Sequence, residues 1–552
     1  MRCNGAQRHV PTSDQAVSRA SIACARVDSD ACTRCIGWAE PTTHARHALA
    51  SCSVWSGAGL AAFEPRHGTE MTHRALVWHR QDLRVTDHAP LATASQRDAE
   101  VIALYVFDER QFLSTPAGFP KTGAFRAQFL RESVVALRER YRALGVELIV
   151  RRGRPERVIP SIVEELELGS VYFHTYPTHE ELAVERAVVA SLSVPCIGSW
   201  GHTLHAPEEL PFEASALPEI FTQFRKRVEA ECTVREPLVV AQRLRPVTQE
   251  IALGEVPRLE DLGLVAPQPD ARAALAFEGG EAAGTARLCR YVWEQDLLKT
   301  YKDTRNGMIG PDYSSKLSPW LALGCLSPRQ IFDEVKRYER ERVENDSTYW
   351  LTFELLWRDY FAFIAAKHGA RLFRSSGLRG IELPWKHDHE RFDLWCRGET
   401  GFPLVDANMR ELRATGFMSN RGRQNVASFL TKNLGIDWRW GAEWFESLLI
   451  DYDVSSNWGN WNYTAGVGND ARGFRYFNIQ KQSRDYDLHG YYVKLWLPEL
   501  AAVPADRVHE PSTLTSADQT RFGVRMGVDY PKPVVDLFES ARTNKELYDA
   551  AT

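Results

Sequence analysis

Between residues 75 and 197, short apolar runs alternate with longer stretches of helical period. The runs at 75–78 and 101–107 are continuously apolar, which is typical of strands covered on both faces. The hydrophobic positions between 125 and 144 repeat with the period of an amphipathic helix. Further strands are predicted at 147–150, 171–173 and 194–197, and further helices at 155–168 and 180–191. This alternation predicts an α/β domain with a doubly wound parallel sheet over residues 73–203.

The pattern changes twice after the predicted sheet. Residues 204–285 contain several prolines and a Gly-Gly pair but no clear period, so we expect an interdomain connection with short helices. From residue 286 to 500 the dominant period is helical, which predicts an all-α domain. Residues 501–552 are expected to form a C-terminal tail.

Residues 1–72 show no hydrophobic periodicity. They are rich in Arg and Ser and poor in acidic residues, which is typical of an organellar transit peptide. Two alternatives remain open, because this chain prefers Arg to Lys throughout and because Met71 stands directly before the first strand. A true leader would direct the protein to the chloroplast or mitochondrion, and otherwise we expect it in the cytoplasm. Cys32 and Cys35 have zinc-like spacing but no second ligand pair, so we interpret them as incidental thiols.

The composition and the absence of certain motifs exclude several classes of protein. The 552 residues are 44% hydrophobic with a net charge of −5, which excludes a disordered, collagen-like or disulfide-scaffold protein. No apolar stretch reaches the ~20 residues of a membrane span, so no membrane partner is expected. The sequence carries neither a G-x-G-x-x-G fingerprint after the first strand nor a Walker A loop, which disfavours a nicotinamide or ATP enzyme. Twelve of the 16 tryptophans lie in the helical part, between Trp293 and Trp496.

The first candidate segment runs from Tyr301 to Pro319. Ser314, Ser315 and Ser318 supply hydroxyls beside Lys316, and a proline follows where a helix is expected to begin. Such a segment can hold phosphate through hydroxyls and free backbone N–H groups. A plain helix cap explains the same residues, and both interpretations stay open.

The second candidate segment is a predicted helix around residue 357. Glu354, Trp357, Arg358 and Phe361 are spaced so that they share one helical face. A carboxylate and a guanidinium are costly to bury without partners. This face therefore suits a polar aromatic ligand, although amphipathic packing with a surface ion pair is an equal alternative.

The third candidate segment contains two carboxylates, Asp451 and Asp453, near Arg423 and Asn457. Carboxylates at this spacing resemble a metal site or an acid/base pair. No His or Cys nearby completes a transition-metal set, so we expect no metal. The Arg and Asn side chains beside several indoles favour hydrogen bonding around a heteroaromatic cofactor, with a salt-bridged surface as the alternative.

These segments resemble the photolyase/cryptochrome superfamily, and most closely its DASH-type cryptochromes. Three motifs in the family's order carry the resemblance, at residues 302–327, 354–361 and 406–477. The run at 481–500 indicates the DASH branch. The resemblance implies an antenna domain on the α/β sheet and an all-α domain that binds FAD.

The resemblance also implies the ligand contacts. A methenyltetrahydrofolate antenna would be contacted by Glu180 or Glu181. The expected contacts of a U-shaped FAD are Tyr301, Ser314, Ser315, Lys316, Leu317, Ser318, Arg358, Asn420, Arg423, Asp451, Asp453 and Asn457, the last facing flavin N5.

The implied activity is the blue-light repair of cyclobutane pyrimidine dimers, mainly in single-stranded DNA, by a monomer. RNA and looped duplex DNA stay open as alternative partners. Glu354 would hydrogen-bond the dimer, Trp357 and Tyr463 would form the walls of its pocket, and Asn457 would tune the flavin. Trp461, Trp438 and Trp385 match the family's electron-transfer chain. Candidate contacts to the DNA backbone are Arg421, Lys481 and Gln482.

Several positions depart from the duplex-repairing photolyases. His79 stands where Phe is usual, and Phe417 and Tyr463 stand where Trp is common. These changes are compatible with the DASH branch and disfavour duplex repair. The alternative function is a blue-light photoreceptor that binds nucleic acid with little repair, and a dark-reaction flavoprotein is the least favoured hypothesis.

Overall fold

The computed structural model describes residues 74–96, 100–239, 242–470 and 472–552. The expected leader, with Cys32, Cys35 and Met71, lies outside the described residues. Within the described ranges, the helices are too short or too polar to cross a membrane.

Parallel strands form the sheet of the N-terminal part, in the order β3-β2-β1-β4-β5, with a short β6 paired to β2. The order reverses between β1 and β4, and helices flank both faces, so the expected doubly wound sheet is confirmed. The strands are β1 (Arg74–His79), β2 (Glu100–Asp108), β3 (Leu148–Gly153), β4 (Ser170–His174), β5 (Cys196–Ser199) and β6 (Arg245–Pro246).

Alternate residues of β1 belong to two different cores, as the two-residue period of a strand requires. Leu76 and Trp78 pack into a core on one face of the sheet. Ala75 and Val77 pack into a second core, which continues into the helical part. The helices of the α/β part are α1 (Ala89–Gln96), α2 (Ala124–Ala143), α3 (Pro155–Glu165) and α4 (His179–Ala190).

The connection between the two parts is more structured than its sequence suggests. It contains helix α5 (Phe221–Glu231) and strand β6. Phe221 is buried, and its ring stacks on that of Trp357 with centroids 3.6 Å apart. The connection therefore supplies part of the packing behind a candidate site residue, which the absence of a clear period concealed.

The helical part follows from residue 281. Two short π-helices, Arg290–Glu294 and Phe429–Leu434, interrupt it. Its α-helices before residue 500 are α6 (Glu281–Cys289), α7 (Tyr301–Thr304), α8 (Ser318–Ala322), α9 (Pro328–Glu341), α10 (Asp346–His368), α11 (His389–Arg397), α12 (Pro403–Thr415), α13 (Asn420–Ser428), α14 (Trp438–Leu448), α15 (Val454–Ala465), α16 (Ile479–Tyr486) and α17 (Tyr491–Trp496).

Residues 501–552 are not a simple tail. They form α18 (Ser516–Phe522) and α19 (Leu537–Ala551), and Leu537 and Tyr548 are buried. The side-chain amide of Asn544 donates to the carbonyls of Lys432 and Asn433, at 3.1 and 3.0 Å. Both carbonyls belong to the second π-helix, so α19 satisfies acceptors at an irregular point of the helical part.

Candidate functional site

Most of the expected cofactor and lesion residues surround one cavity of about 470 Å³ in the helical part. The cavity lies between α7, α10, α13 and α15. The expected residues that line it are Tyr301, Ser314, Ser315, Lys316, Leu317, Ser318, Glu354, Trp357, Arg358, Asn420, Arg423, Asp451 and Tyr463.

A smaller hollow of about 130 Å³ adjoins this cavity. Asn420, Arg423 and Asp451 line both spaces. The expected residues Asp453, Asn457 and Trp461 line the hollow. The two spaces together are within the usual range of a cofactor site, and they bring the three sequence segments together.

Asp451 connects two of these segments. Its carboxylate accepts hydrogen bonds from Arg423 at 2.8 Å and from the hydroxyl of Ser318 at 2.6 Å. Asp453 instead caps α15 by accepting from the backbone N–H of Ser456 at 2.7 Å. The two carboxylates therefore have different roles: Asp451 joins the serine segment to α13, and Asp453 fixes the start of α15.

Lys316 is the most unusual residue of the serine segment. Its backbone φ is +54°, which is rare for a residue with a Cβ. Its ammonium is buried, has no hydrogen-bond partner and lies 3.2 Å from the centroid of the Tyr313 ring. Burial lowers the pKa of Lys316 to about 7, with a further lowering by Arg287. Strained backbone and an unpartnered buried amine at one residue indicate a binding position.

The cavity is also lined by the residues expected at the lesion. Glu354 pairs with Arg305, with Oε1 2.7 Å from Nη1, and burial raises the pKa of Glu354. The rings of Trp357 and Tyr463 meet edge-to-face with centroids 5.9 Å apart. The hydroxyl of Tyr463 accepts from Arg472 at 2.7 Å. A carboxyl group and two aromatic rings thus face the same space.

Arg358 lines the cavity, but its hydrogen bonds go to the backbone. It donates to the carbonyl of His202 and, at 3.2 Å, to that of Leu321. The neighbouring Asp359 is buried and accepts from the N–H groups of Leu204 and His205, at 3.0 and 3.2 Å. This stretch of α10 therefore fixes the connection to the helical part, in addition to facing the cavity.

The three tryptophans expected to conduct electrons differ in their surroundings and burial. Trp461 lines the hollow, Trp438 is fully buried and Trp385 is partly exposed. The indoles of Trp438 and Trp385 both donate to the carbonyl of Ser375. Trp461 also has ring contacts with Phe445 and Trp395, at 5.1 and 6.4 Å between centroids.

The expected DNA contacts lie on adjacent helices outside the cavity lining. Arg421 on α13 packs over the ring of Tyr486 on α16, with 4.4 Å to the ring centroid. Lys481 is exposed and pairs with Asp485 at 2.7 Å, and Gln482 is partly buried. The structure therefore places Arg421 against α16, the helix that carries Lys481 and Gln482, and it buries part of that arginine.

The expected antenna residues lie at the start of α4. Glu180 is exposed and pairs with Lys121. Glu181 accepts a hydrogen bond from the hydroxyl of Thr178, directly before the helix. Burial acts to lower the pKa of Lys121, but the hydrogen bond and charge of Glu180 raise it, and the charges of Glu446 and Glu181 raise it further. Because Glu446 belongs to α14, this region faces the helical part.

Three basic cavity residues were missed from the sequence. Arg305 belongs to the first motif, but its charge alone gave no reason to pair it with Glu354, 49 residues away. Arg472 and Arg475 also line the cavity, in the loop that follows α15. Their basic character in a charge-poor segment was the available signal.

A group of metal-ligand type lies in the α/β part, at the carboxyl ends of β1 and β4. Asp82 accepts from Nε2 of His88 at 2.7 Å and from Nδ1 of His174 at 2.8 Å, and His79 lies beside it. Nδ1 of His88 accepts the backbone N–H of Leu91 at 3.1 Å. A neutral imidazole has one N–H, so His88 cannot bind a metal through Nε2 without losing that proton. Burial lowers the pKa of His88 and of His174, so two neutral imidazoles hydrogen-bonded to Asp82 suit this geometry better.

The comparisons with known proteins agree with this geometry. The family described as "DNA photolyase" matches residues 75–243, and the family described as "FAD binding domain of DNA photolyase" matches residues 350–550. The second match includes the region that was expected to be a tail.

Individual relatives match over most of their length. The chain is 63% identical to cryptochrome DASH of Gloeobacter violaceus, covering 87% of this chain and 96% of the relative. It is 48% identical to the chloroplastic/mitochondrial cryptochrome DASH of Arabidopsis thaliana, covering 80% and 79%. A crystal structure of the cryptochrome from Synechocystis superposes with a TM-score of 0.84 at 54% identity, covering 86% and 99%. The chain therefore belongs to the cryptochrome DASH branch of the photolyase/cryptochrome family, and its helical part is an FAD-binding domain.

Proposed function

We propose that this protein repairs cyclobutane pyrimidine dimers under blue light, mainly in single-stranded DNA. The observation that carries the proposal is the adjacency of two sets of residues in one cavity. Glu354, Trp357 and Tyr463 form the first set, the serine segment with Arg423 and Asp451 forms the second, and both sets line this cavity. An electron donor held at the second set would lie directly beside a base held at the first.

The second set of residues suits FAD. The hydroxyls of Ser314 and Ser315, the unpartnered ammonium of Lys316 and the Arg423–Asp451 pair offer donors to phosphate and ribose groups. Asn457 would present its amide from the adjoining hollow. FAD, when bound, supplies the light absorption and the transferable electron. The chain's own residues orient the bound groups and exclude water from them.

The first set of residues suits a pair of stacked bases. Trp357 is held by Phe221 on one side and meets Tyr463 at its edge. Aromatic faces stack on bases without reading sequence. Glu354 adds one hydrogen-bonding group, which fixes the orientation of the bases. A single strand reaches such a pocket without the unstacking energy that a duplex requires.

The strand would pass over α13 and α16. Arg421, Lys481 and Gln482 lie on these two helices, and Arg472 and Arg475 line the cavity. Phosphate contacts of this kind position a strand without specifying its sequence. They supply a local basic surface on a protein whose net charge is −5.

The test is a repair assay with single-stranded and duplex oligonucleotides that carry the dimer, under blue light with a reductant. We expect repair of the single strand, and a large loss of yield in Glu354→Ala. Glu344→Ala, which removes an exposed carboxylate just before α10, is the matched control. A blue-light-dependent interaction in cells with no repair of either substrate would instead establish the photoreceptor function.

We also propose methenyltetrahydrofolate as the antenna, held at Glu180 or Glu181. Glu180 is 68% exposed at its side chain and has a lysine partner, whereas Glu181 is engaged at the start of α4. Glu180 is therefore freer to bind a pterin. Glu180→Gln should lower the folate content of the purified protein and leave its FAD content unchanged, whereas equal folate content would exclude Glu180.

Two proposals concern the whole chain. Residues 1–72 would act as an organellar leader, in line with the chloroplastic/mitochondrial description of the Arabidopsis relative. A fusion of these residues to a fluorescent protein should enter chloroplasts or mitochondria, and diffuse fluorescence would favour a start at Met71. We expect a monomer, which light scattering of the purified protein would test.

A further inference from the structure

The loop that follows α15 contacts both the cavity and the C-terminal helix α19. It spans residues 466–477, which the structure describes except at position 471. The cavity-lining residues of this loop are Asp470, Arg472, Arg475 and Phe477. Tyr548 of α19 is buried, does not line the cavity and contacts the same loop. The 466–477 loop therefore links α19 to the cavity.

Tyr548 contacts the loop on both sides of Arg472. Its hydroxyl donates to the carbonyl of Gly466 at 3.0 Å, where the loop begins. Its ring meets that of Phe474, with centroids 5.6 Å apart. Arg472 lies between these two contacts in the chain, and Arg475 directly follows the second. One tyrosine thus fixes the backbone from which both arginines extend.

Tyr548 is itself held by residues from two other segments. Nη1 of Arg379 donates to its hydroxyl at 3.1 Å, and the backbone N–H of Arg379 donates to the carbonyl of Val467 at 2.9 Å. Nζ of Lys432 lies 5.2 Å from the ring centroid of Tyr548 and 4.6 Å from that of Phe474. The hydroxyl both donates and accepts, and the ring faces a buried ammonium, so the position of Tyr548 is closely determined.

The backbone at Gly466 is shaped to this contact. Gly466 ends α15 with a φ of +83°, which favours glycine. A Cβ at this position would lie 3.0 Å from Nζ of Lys432 and 3.0 Å from the ring of Tyr548. The direction in which the chain leaves α15 is therefore set by α19 and the second π-helix as well as by the loop itself.

On its cavity side the loop presents two guanidinium groups. Arg472 is 55% exposed, pairs with Asp470 at 2.9 Å and donates to the hydroxyl of Tyr463 at 2.7 Å. Arg475 is partly buried, and burial and the charge of Arg472 both lower its pKa. Two like charges held near each other favour an anion beside them, such as a phosphate group of a strand.

We propose that Tyr548 is a positioning residue for the single strand. Through its contacts with Gly466 and Phe474 it holds Arg472 and Arg475 where they bind the phosphates of the strand. No covalent bond forms or breaks in this role, and Tyr548 does not touch the strand. This inference rests on the proposed binding of single-stranded DNA, and it gives α19 a role in substrate binding.

The salt dependence of strand binding tests this role. A single-stranded oligonucleotide with one dimer is bound to the FAD-loaded protein in the dark at several salt concentrations. Tyr548→Leu removes the ring and the hydroxyl, and the slope of log affinity against log salt should fall by up to about 1.4 for two lost phosphate contacts. Tyr548→Phe keeps the ring and should lower the slope by less. Leu547→Ala, at an exposed residue of the same helix, is the matched control and should leave the slope unchanged.

Combined variants separate positioning from a general loss of stability. Replacing both Arg472 and Arg475 by Gln should lower the slope as much as Tyr548→Leu does. Adding Tyr548→Leu to that double variant should lower the slope no further, because residues that act through one another are not additive. A further fall of full size would show that Tyr548 acts independently of the two arginines, and would overturn the proposal.

Hydrogen exchange gives a readout that needs no strand. In FAD-loaded Tyr548→Phe, the amides of the 466–477 loop should exchange faster than in the wild type, and those of α16 should not. This variant also serves where Tyr548→Leu fails to fold, and it must then show both the faster exchange and the lower slope.

The outcomes distinguish the two proposals. A wild-type salt slope in a Tyr548 variant that retains FAD would overturn the positioning role and leave the proposed repair function intact. Failure of the wild type to bind the single strand would overturn both.

Discussion

The indole N–H groups of Trp438 and Trp385 donate to the same acceptor, the backbone carbonyl of Ser375, at 3.0 and 3.2 Å. One carbonyl therefore fixes the orientation of a fully buried indole and of a partly exposed one. This shared acceptor links a buried indole to one that reaches the surface, two of the three tryptophans expected to conduct electrons.

Replacement of Trp438 by Phe should reduce the light-driven reduction of bound FAD to a small fraction of the wild-type rate. Phe is harder to oxidise than Trp, and it leaves Ser375 with one donor fewer. The measurement is the bleaching of the flavin absorbance under blue light with an external reductant. Trp496→Phe, at another fully buried indole, is the control. A wild-type rate in Trp438→Phe would exclude this route.

Binding of FAD should weaken as the pH rises above about 7. Burial lowers the pKa of Lys316 to about 7, so the amine loses its charge through this range. A diphosphate favours the charged amine, and binding should therefore take up protons. Affinity should fall by up to about tenfold per pH unit above this pKa.

Variants assign this pH dependence to Lys316. The dependence should disappear in Lys316→Met, measured as FAD affinity of the apoprotein at several pH values. Burial also raises the pKa of the neighbouring Glu411 to about 7, so Glu411→Gln is the necessary second variant. An unchanged profile in Lys316→Met would locate the titration elsewhere.

The free energy of unfolding should decrease between about pH 4 and pH 7 because of Asp359. Burial raises its pKa to about 7 in the folded protein, whereas the unfolded chain ionises near pH 4. Between these two pKa values the folded protein holds the proton and the unfolded chain does not. The contribution of Asp359 to the free energy of unfolding is therefore complete at low pH and is lost as the pH rises through about 7.

This contribution can be measured by denaturant unfolding at several pH values. The slope should be up to about 1.4 kcal/mol per pH unit, and it should vanish in Asp359→Asn. Asp359→Ala should lower stability at every pH by about 1–3 kcal/mol, since the N–H groups of Leu204 and His205 lose their acceptor. Identical slopes in wild type and Asp359→Asn would contradict this assignment.

Asn544→Ala should destabilise the protein by about 1–3 kcal/mol and accelerate the loss of FAD. The variant leaves two carbonyls of the second π-helix, those of Lys432 and Asn433, without the amide that now donates to them. Thermal unfolding and FAD release are the measurements. Lys545→Ala on the exposed side of the same helix should change neither, because its partner Asp549 is a surface residue.

The α/β part was predictable because its signals are local. Strands covered on both faces, such as the run around Leu104, are continuous apolar segments, and their order fixed the parallel sheet. The contribution of α19 was not predictable, because its buried residues Leu537 and Tyr548 pack near the π-helix, which lies about a hundred residues earlier in the sequence. The same holds for Phe221, which lies in a segment without period and packs on Trp357.

The residues of the candidate site that lie in sequence motifs were predictable, but their tertiary partners were not. The face of Glu354, Trp357 and Arg358 lines the cavity, in agreement with the helical spacing. Spacing could not show that Arg305 neutralises Glu354, nor that Arg358 donates to backbone carbonyls, because both partners are distant in sequence. Charge pairs of this kind depend on tertiary structure rather than on local pattern.

The amide of Asn544 also sets an order of assembly. The π-helix at Phe429–Leu434 directly follows α13, which lines the cavity. Two carbonyls of this π-helix accept hydrogen bonds from Asn544, which lies more than a hundred residues later in the chain. During synthesis on the ribosome, the wall that carries Arg423 must therefore be exposed before α19 exists. A nascent chain stalled before residue 537 should bind flavin weakly, so that cofactor capture reports on completion of α19.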